Sequence, residues 1–239
     1  PFTIAGERVA QPFRDAYGWA DSLLTARSDA KRLKAETEAL RQQVIQNQFA
    51  ANENAKLKAL LAFRDGPRFP DDYTGLTAAV IARPSGTFAQ EVVVAAGSND
   101  GVAVDAPVVT ADGFLGRVTR VYSRSSRVTL LSDEQLAVSA IAVRSGATGI
   151  VKHGRGSSAT LIFDRVPKKV KVTVGDTIVT AGWRSSKLAS LYPKGIPIGR
   201  VTSVGQADTD LWKQIQVKPF ADFERVDAVL VLVLKDGPE

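Results

Sequence analysis

The chain has 239 residues, 44% hydrophobic and 23% charged, which sets it among globular proteins with room for one or two modest domains. Its 31 Lys and Arg against 25 Asp and Glu give a mild formal charge of +6, densest at Lys31 to Lys34 and Lys168 to Lys171, and both spots read as solvated faces. With no cysteine and a single histidine, His153, the sequence excludes disulfides, thiolate nucleophiles and sulfur- or multi-histidine metal sites, leaving only an all-oxygen site for a hard cation.

From Ala16 to Leu61 the chain is rich in Ala, Leu, Gln, Glu, Lys and Arg and free of proline, which predicts one long helix. At about 1.5 Å per residue it would be of the order of 70 Å long. Apolar positions follow a 3-4 spacing through Ala16, Trp19, Leu23, Ala26, Ala30, Leu33, Thr37, Leu40, Val44, Asn47, Ala51 and Asn54, and then slip to Leu57 and Leu61. That is a coiled-coil seam, too narrow to lie under a globular domain but wide enough for a partner helix. We expect self-association through Trp19, Leu23, Leu33, Leu40 and Val44; the competing reading is a single solvated helix lying across its own domain.

Helix breakers crowd Arg64 to Gly75, so a linker is expected there. Short β-branched runs follow, among them Leu76 to Ala82, Glu91 to Ala96, Val128 to Leu131, Thr160 to Phe163, Ile178 to Thr180 and Val229 to Leu234. Turn residues separate them about every dozen residues, the grammar of small barrels or sandwiches. The longest purely apolar run, Ala228 to Leu234, is far short of the ~20 residues of a membrane helix. Because the sequence opens on Pro1 and holds no methionine, an upstream anchor is expected to lie outside it.

The β region repeats itself. Ala79 to Thr110 matches Gly149 to Thr180 without a gap, and Leu115-Gly-Arg-Val-Thr-Arg-Val121 matches Ile198-Gly-Arg-Val-Thr-Ser-Val204 after a longer connection in the second copy. Gly116 and Gly199, at the start of a strand in each copy, read as bulge or close-approach positions, and Gly175-Asp176 as a turn leading into a strand. The expected fold is mainly β with a long N-terminal α-helix: a coiled-coil helix followed by two small six-stranded β-barrels related by the repeat. We divide it as helix 1–66, linker 67–75, first barrel 76–145, which could also take strands from 215–235, and second barrel 146–236.

A serine-hydrolase reading of two barrels fails on order and context. Gly175-Asp176 leads to Thr177 and Ile178 rather than to a nucleophilic serine, and His153 aligns with Arg83 in what reads as a surface turn. Gly154-Arg-Gly-Ser-Ser158 lacks the Gly-Lys-Ser/Thr ending of a phosphate cradle. Aromatic residues, 7% of the chain, are too few and wrongly placed for a base-stacking nucleic-acid face. We therefore assign no catalytic residue, metal or cofactor. The longer connection of the second repeat places Trp183, Leu188, Leu191 and Tyr192 among Arg184, Ser185, Ser186 and Lys187. Two readings stay open for it: a cap on the second barrel, or a partner-binding loop.

Several segments then resemble one family. Gly175-Asp-Thr-Ile-Val-Thr-Ala-Gly182, Tyr192-Pro-Lys-Gly-Ile-Pro-Ile-Gly-Arg-Val201, Val217-Lys-Pro-Phe-Ala-Asp222 and Val226-Asp-Ala-Val-Leu-Val231 look like successive signatures of the MreC family. In the first repeat Gly97-Ser-Asn-Asp-Gly-Val102, Val108-Val-Thr-Ala-Asp-Gly-Phe-Leu-Gly-Arg-Val118 and Val128-Thr-Leu-Leu-Ser-Asp133 do the same. The family often has a serine where Ala181 precedes Gly182. The resemblance implies a non-catalytic scaffold of cell elongation, without cofactor. It implies a single-pass protein of the inner membrane whose region corresponding to this chain lies in the periplasm. Implied partners are further copies of itself, the elongation-specific class B penicillin-binding protein, MreD, and MreB through the membrane, with no nucleic acid.

Overall fold

The computed structural model describes residues 11–84, 90–154, 160–182, 190–205 and 211–235, with side chains from Arg27 onward. Helix α1 (Gln11–Arg64) runs 54 residues. It stops two residues short of the expected 66 because Gly66-Pro67 follow, and proline supplies no N–H to continue the ladder. The chain divides into two compact units, Pro1–Ala55 and Lys56–Glu239.

In the first unit every side chain from Ala30 to Ala55 is exposed, so tertiary packing inside this chain contributes nothing to that stretch. Helix propensity and cross-turn pairs such as Asp29–Arg32 (3.2 Å) hold it, and exposed pairs of this kind contribute only a few tenths of a kcal/mol. In the second unit the last turns of α1 behave differently. Leu60 and Phe63 are buried, Phe63 meets Phe69 edge-on with ring centroids 6.2 Å apart, and Lys56 pairs with Asp227.

Among the described residues the rest of the second unit has twelve strands: β1 (Tyr73–Ala82), β2 (Glu91–Val94), β3 (Pro107–Val109), β4 (Phe114–Val121), β5 (Ser126–Leu130), β6 (Ala137–Ala142), β7 (Thr148–His153), β8 (Leu161–Pro167), β9 (Thr177–Thr180), β10 (Pro197–Gly205), β11 (Trp212–Pro219) and β12 (Ala228–Leu234). They close into two six-stranded antiparallel barrels, β1-β12-β3-β4-β5-β2 and β10-β11-β8-β7-β6-β9. Fully buried Phe114, Leu115, Leu130, Leu230 and Leu232 fill the first; Leu161, Phe163, Ile178, Ile198 and Ile215 fill the second. Closure leaves no free sheet edge around either core.

The two cyclic orders coincide when β7 to β11 are read for β1 to β5 and β6 is read for β12. Each repeat thus supplies five strands to one barrel and sends its sixth strand to the other. The segments leading into the two exchanged strands share a turn: Asp133 Oδ1 accepts from Gln135 N at 2.8 Å, and Asp222 Oδ1 accepts from Glu224 N at 2.9 Å. This corrects the expected limits of 76–145 and 146–236. β6 belongs to the second barrel, where it forms a tight hairpin with β7 and also pairs Ala140 with Thr180 of β9, so the boundary falls between Leu130 and Ala137. The first barrel begins at Tyr73, inside the expected linker, and takes β12 between β1 and β3, while β11 stays in the second barrel.

β12 runs from Ala228 to Leu234 without a polar residue, and Val229, Leu230, Val231 and Leu232 are all buried, which explains a continuous rather than alternating apolar strand. Arg83 fastens the segment that carries the chain back to the first barrel, donating to the carbonyl oxygens of Phe223 (2.8 Å) and Val226 (3.3 Å).

Candidate interaction surfaces

On the helix, Leu33, Leu40 and Val44 are between 53% and 57% exposed, so this stripe is open to a partner; the side chains of Trp19 and Leu23 lie outside the described residues. Two further exposed apolar side chains, Ile45 (64%) and Phe49 (72%), sit off the seam. At 100° per residue they point about 120° and 160° away from the centre of the stripe through Leu33, Leu40 and Val44. The 3-4 spacing gave no signal for them. The slipped positions Leu57 and Leu61 remain exposed, while Leu60 and Phe63 turn inward.

The longer connection of the second repeat does not behave as one surface. Trp183 and Leu188 lie outside the described residues, and Leu191 is 54% exposed. Tyr192 is buried, with its ring edge-on to Phe114 of β4 at 5.2 Å between centroids. It is therefore a buried residue at the junction between the barrels, and its ring offers no exposed surface to the binding-loop reading. Burial pushes its hydroxyl above the ordinary tyrosine value; Arg117 opposes that shift and Asp105 adds to it. Those two groups form an ion pair of 2.6 Å beside the ring. The junction is tight elsewhere too, since a Cβ on Gly113 would stand 2.3 Å from the carbonyl oxygen of Pro197.

The four turn residues act on the backbone. A Cβ on Gly116 would lie 2.1 Å from the Thr129 carbonyl oxygen, and one on Gly199 would lie 2.3 Å from that of Lys218, so neighbouring strands close in only over glycine. Gly175 has φ +87°, and Asp105, its counterpart in the first repeat, keeps the same left-handed turn at φ +68°. Asp176 is buried; its Oδ1 accepts from Thr177 N (3.0 Å) and Arg144 N (3.2 Å), tying the β6–β7 turn to the start of β9.

Beside the barrel junction runs a groove of about 800 Å³. Val104, Pro107, Leu191, Pro193, Lys194 and Leu234 are among the residues that line it. Val104 (56%), Leu191 (54%) and Leu234 (39%) are all exposed, and their clustering at one cleft is what distinguishes them from scattered surface apolars.

Of the described groups weighed for a hydrolase, His153 and Thr177 are apart. His153 ends β7 rather than occupying the expected turn, because it still pairs with Leu161 of β8. Strand β6 aligns Ala137 with Lys152 and Ala142 with Ile178, so His153 and Thr177 stand at opposite ends of that strand. At ~3.3 Å per residue this separates them by roughly 20 Å. Gly154 is placed, and residues 155–159 of the glycine-rich loop lie outside the described residues.

A long helix followed by two six-stranded antiparallel barrels of one topology, with apolar side chains exposed on the helix and at the groove, defines a helix-and-double-barrel protein. The family model for "Rod shape-determining protein MreC, barrel core" matches residues 80–233, well over half the chain. The cell shape-determining protein MreC of Haemophilus influenzae is 29% identical over 85% of this chain and 57% of its own length, so the chain spans little more than half of that relative. The MreC of Listeria monocytogenes is 31% identical over 94% of this chain and 75% of its own length. A solved Listeria MreC structure overlaps with a TM-score of 0.61 at 31% identity, covering 87% of this chain and 97% of that one. A complex between penicillin-binding protein 2 and MreC from Helicobacter pylori contains a chain with the same fold, with a TM-score of 0.54, 16% identity, and coverage of 69% and 99%. This chain belongs to the MreC family, whose named members determine cell shape.

Proposed function

We propose that the chain is a non-catalytic scaffold which pairs with a second copy through α1 and uses its barrels to organise or activate peptidoglycan synthases in a rod-shaped cell. The observation that carries the self-association is the open stripe of Leu33, Leu40 and Val44, apolar side chains in a helix with no other surface to cover them. Family membership supports the shape-determining role, and the H. pylori complex supports an elongation-specific class B penicillin-binding protein as partner. The groove beside the barrel junction, with Leu191, Val104 and Leu234, is the surface we assign to that partner. Placement in the periplasm under a single inner-membrane anchor, with MreD and MreB as further partners, rests on the family alone.

Sedimentation velocity of the chain beside its Leu33→Asp, Leu40→Asp variant tests the pairing. Four leucines leave a dimer interface at about 1.5 kcal/mol or more each, so on the order of 6 kcal/mol is lost and monomers are expected with unchanged β-sheet circular dichroism. Persistent dimers would move self-association to the barrels. For the partner, Val104→Asp with Leu191→Asp should weaken binding to the purified penicillin-binding protein at an unchanged melting temperature. Undiminished binding would take the groove out of the reading.

A further inference from the structure

The side of the second barrel where β8 runs beside β11 combines charge and apolar exposure in a way that neither pairing nor partner docking uses. β8 ends in a β-turn closed by Val170 N donating to the Pro167 carbonyl at 3.1 Å, which puts Lys168 and Lys169 at its two corners. Lys171 follows, exposed, and Lys213 of β11 reaches across to donate to the Val170 carbonyl at 2.8 Å. Four lysines are thus gathered around one ordered turn. Arg165 adds a fifth cation by unusual means. Between Phe163–Ile215 and Val166–Lys213 the register slips, so Gln214 alone faces Asp164 and Arg165, and Arg165 takes up the bulge at φ +60° with its side chain exposed. Left-handed backbone is rare for a long side chain, and bulges serve to re-aim one.

Against this cation cluster lie two apolar side chains. Trp212 pairs across the ladder with Pro167, immediately before the lysine turn, and is 44% exposed; Leu211 beside it is 82% exposed. Asp164, the one acidic side chain on β8 and β11 among the described residues, is engaged by Lys152. The balance of this edge stays positive.

We propose that this edge is a peripheral membrane contact for an acidic phospholipid surface, with Trp212 and Leu211 entering the headgroup layer and the lysine turn with Arg165 holding the anionic headgroups. Charge complementarity selects an anionic partner. The exposed indole and leucine select a lipid surface over a soluble polyanion, because a hydrated polymer offers nothing to bury them, whereas the boundary of a bilayer does.

Flotation of the full chain with phosphatidylcholine vesicles, with and without phosphatidylglycerol, tests this. Binding is expected only with phosphatidylglycerol and should fall with added salt. Each lysine near an anionic surface is worth about 1 kcal/mol, or roughly fivefold, so Lys168→Gln, Lys169→Gln, Lys171→Gln should lower the partition coefficient on the order of a hundredfold, and the corresponding Lys→Arg triple should keep it. Leu211→Ser with Trp212→Ser should weaken binding while leaving the salt dependence in place. In a Trp19→Phe, Trp183→Phe background the emission of Trp212 should shift to the blue on vesicles. All five substituted side chains are at least partly exposed, so melting temperatures should match the parent and a loss of binding is then not a loss of fold. Equal binding to zwitterionic vesicles, or binding untouched by both multiple variants, would overturn the proposal. Capture by soluble polyglutamate that ignores Leu211→Ser and Trp212→Ser would also overturn it and point to a polyanion instead.

Discussion

Tyr192 separates two accounts of the long connection in the second repeat. With 6% exposure and its ring edge-on to Phe114, it joins barrels contributed by different repeats. Truncating a buried aromatic to alanine costs about 3–5 kcal/mol, of which the ring pair itself is roughly 0.5–1.5 kcal/mol. In a chain of this size 1 kcal/mol moves the midpoint by about 2–4 °C, so Tyr192→Ala should lower the melting temperature by on the order of 6–20 °C. Differential scanning calorimetry reads this directly, with Leu191→Ala, an exposed neighbour, as the control expected within about 0.5 kcal/mol of the parent. A Tyr192→Ala variant that melts with the parent yet loses binding to the penicillin-binding protein would refute the junction and restore the binding loop.

Three other outcomes follow from the same structure. Burial raises the Tyr192 hydroxyl above its unfolded value of about 10, so its stabilising contribution is complete below about pH 10 and is lost as pH rises through the folded value. The alkaline fall in melting temperature should therefore be shallower in Tyr192→Phe than in the parent. Ending the chain at Asp227 removes β12 from between β1 and β3; the first barrel should then fail to close, seen as lost β-sheet circular dichroism and protease cleavage within residues 73–130. Gly199→Ala sets a Cβ against the Lys218 carbonyl, and overpacking of this kind should lower the urea midpoint by the equivalent of about 1–3 kcal/mol.

Features written in local chemistry were legible in the sequence. The helix follows from an uninterrupted run of good formers, and its end follows from Gly66-Pro67. The two β units follow from the repeat, since β3 and β9, and likewise β4 and β10, occupy matched blocks in the same order. Gly116 and Gly199 stood out because only glycine tolerates a carbonyl so close to its Cα.

Three things were decided by tertiary structure. The exchange of β6 and β12 is invisible to a repeat alignment, because the two strands are equivalent by their place in the repeat and either could close either barrel; the short β6–β7 hairpin and the crossover fastened by Arg83 settle which does. Tyr192 carries the same residue pattern whether it points to solvent or to Phe114, and only the packing of β4 near β10 fixes its direction. The alignment of Trp212 with Pro167, and the bulge that turns Arg165 outward, likewise come from pairing across the sheet. Sequence determined the elements and the repeat because period, propensity and breakers act over a few residues; closure, exchange and burial depend on contacts between residues far apart in the chain, whose partners no local pattern names.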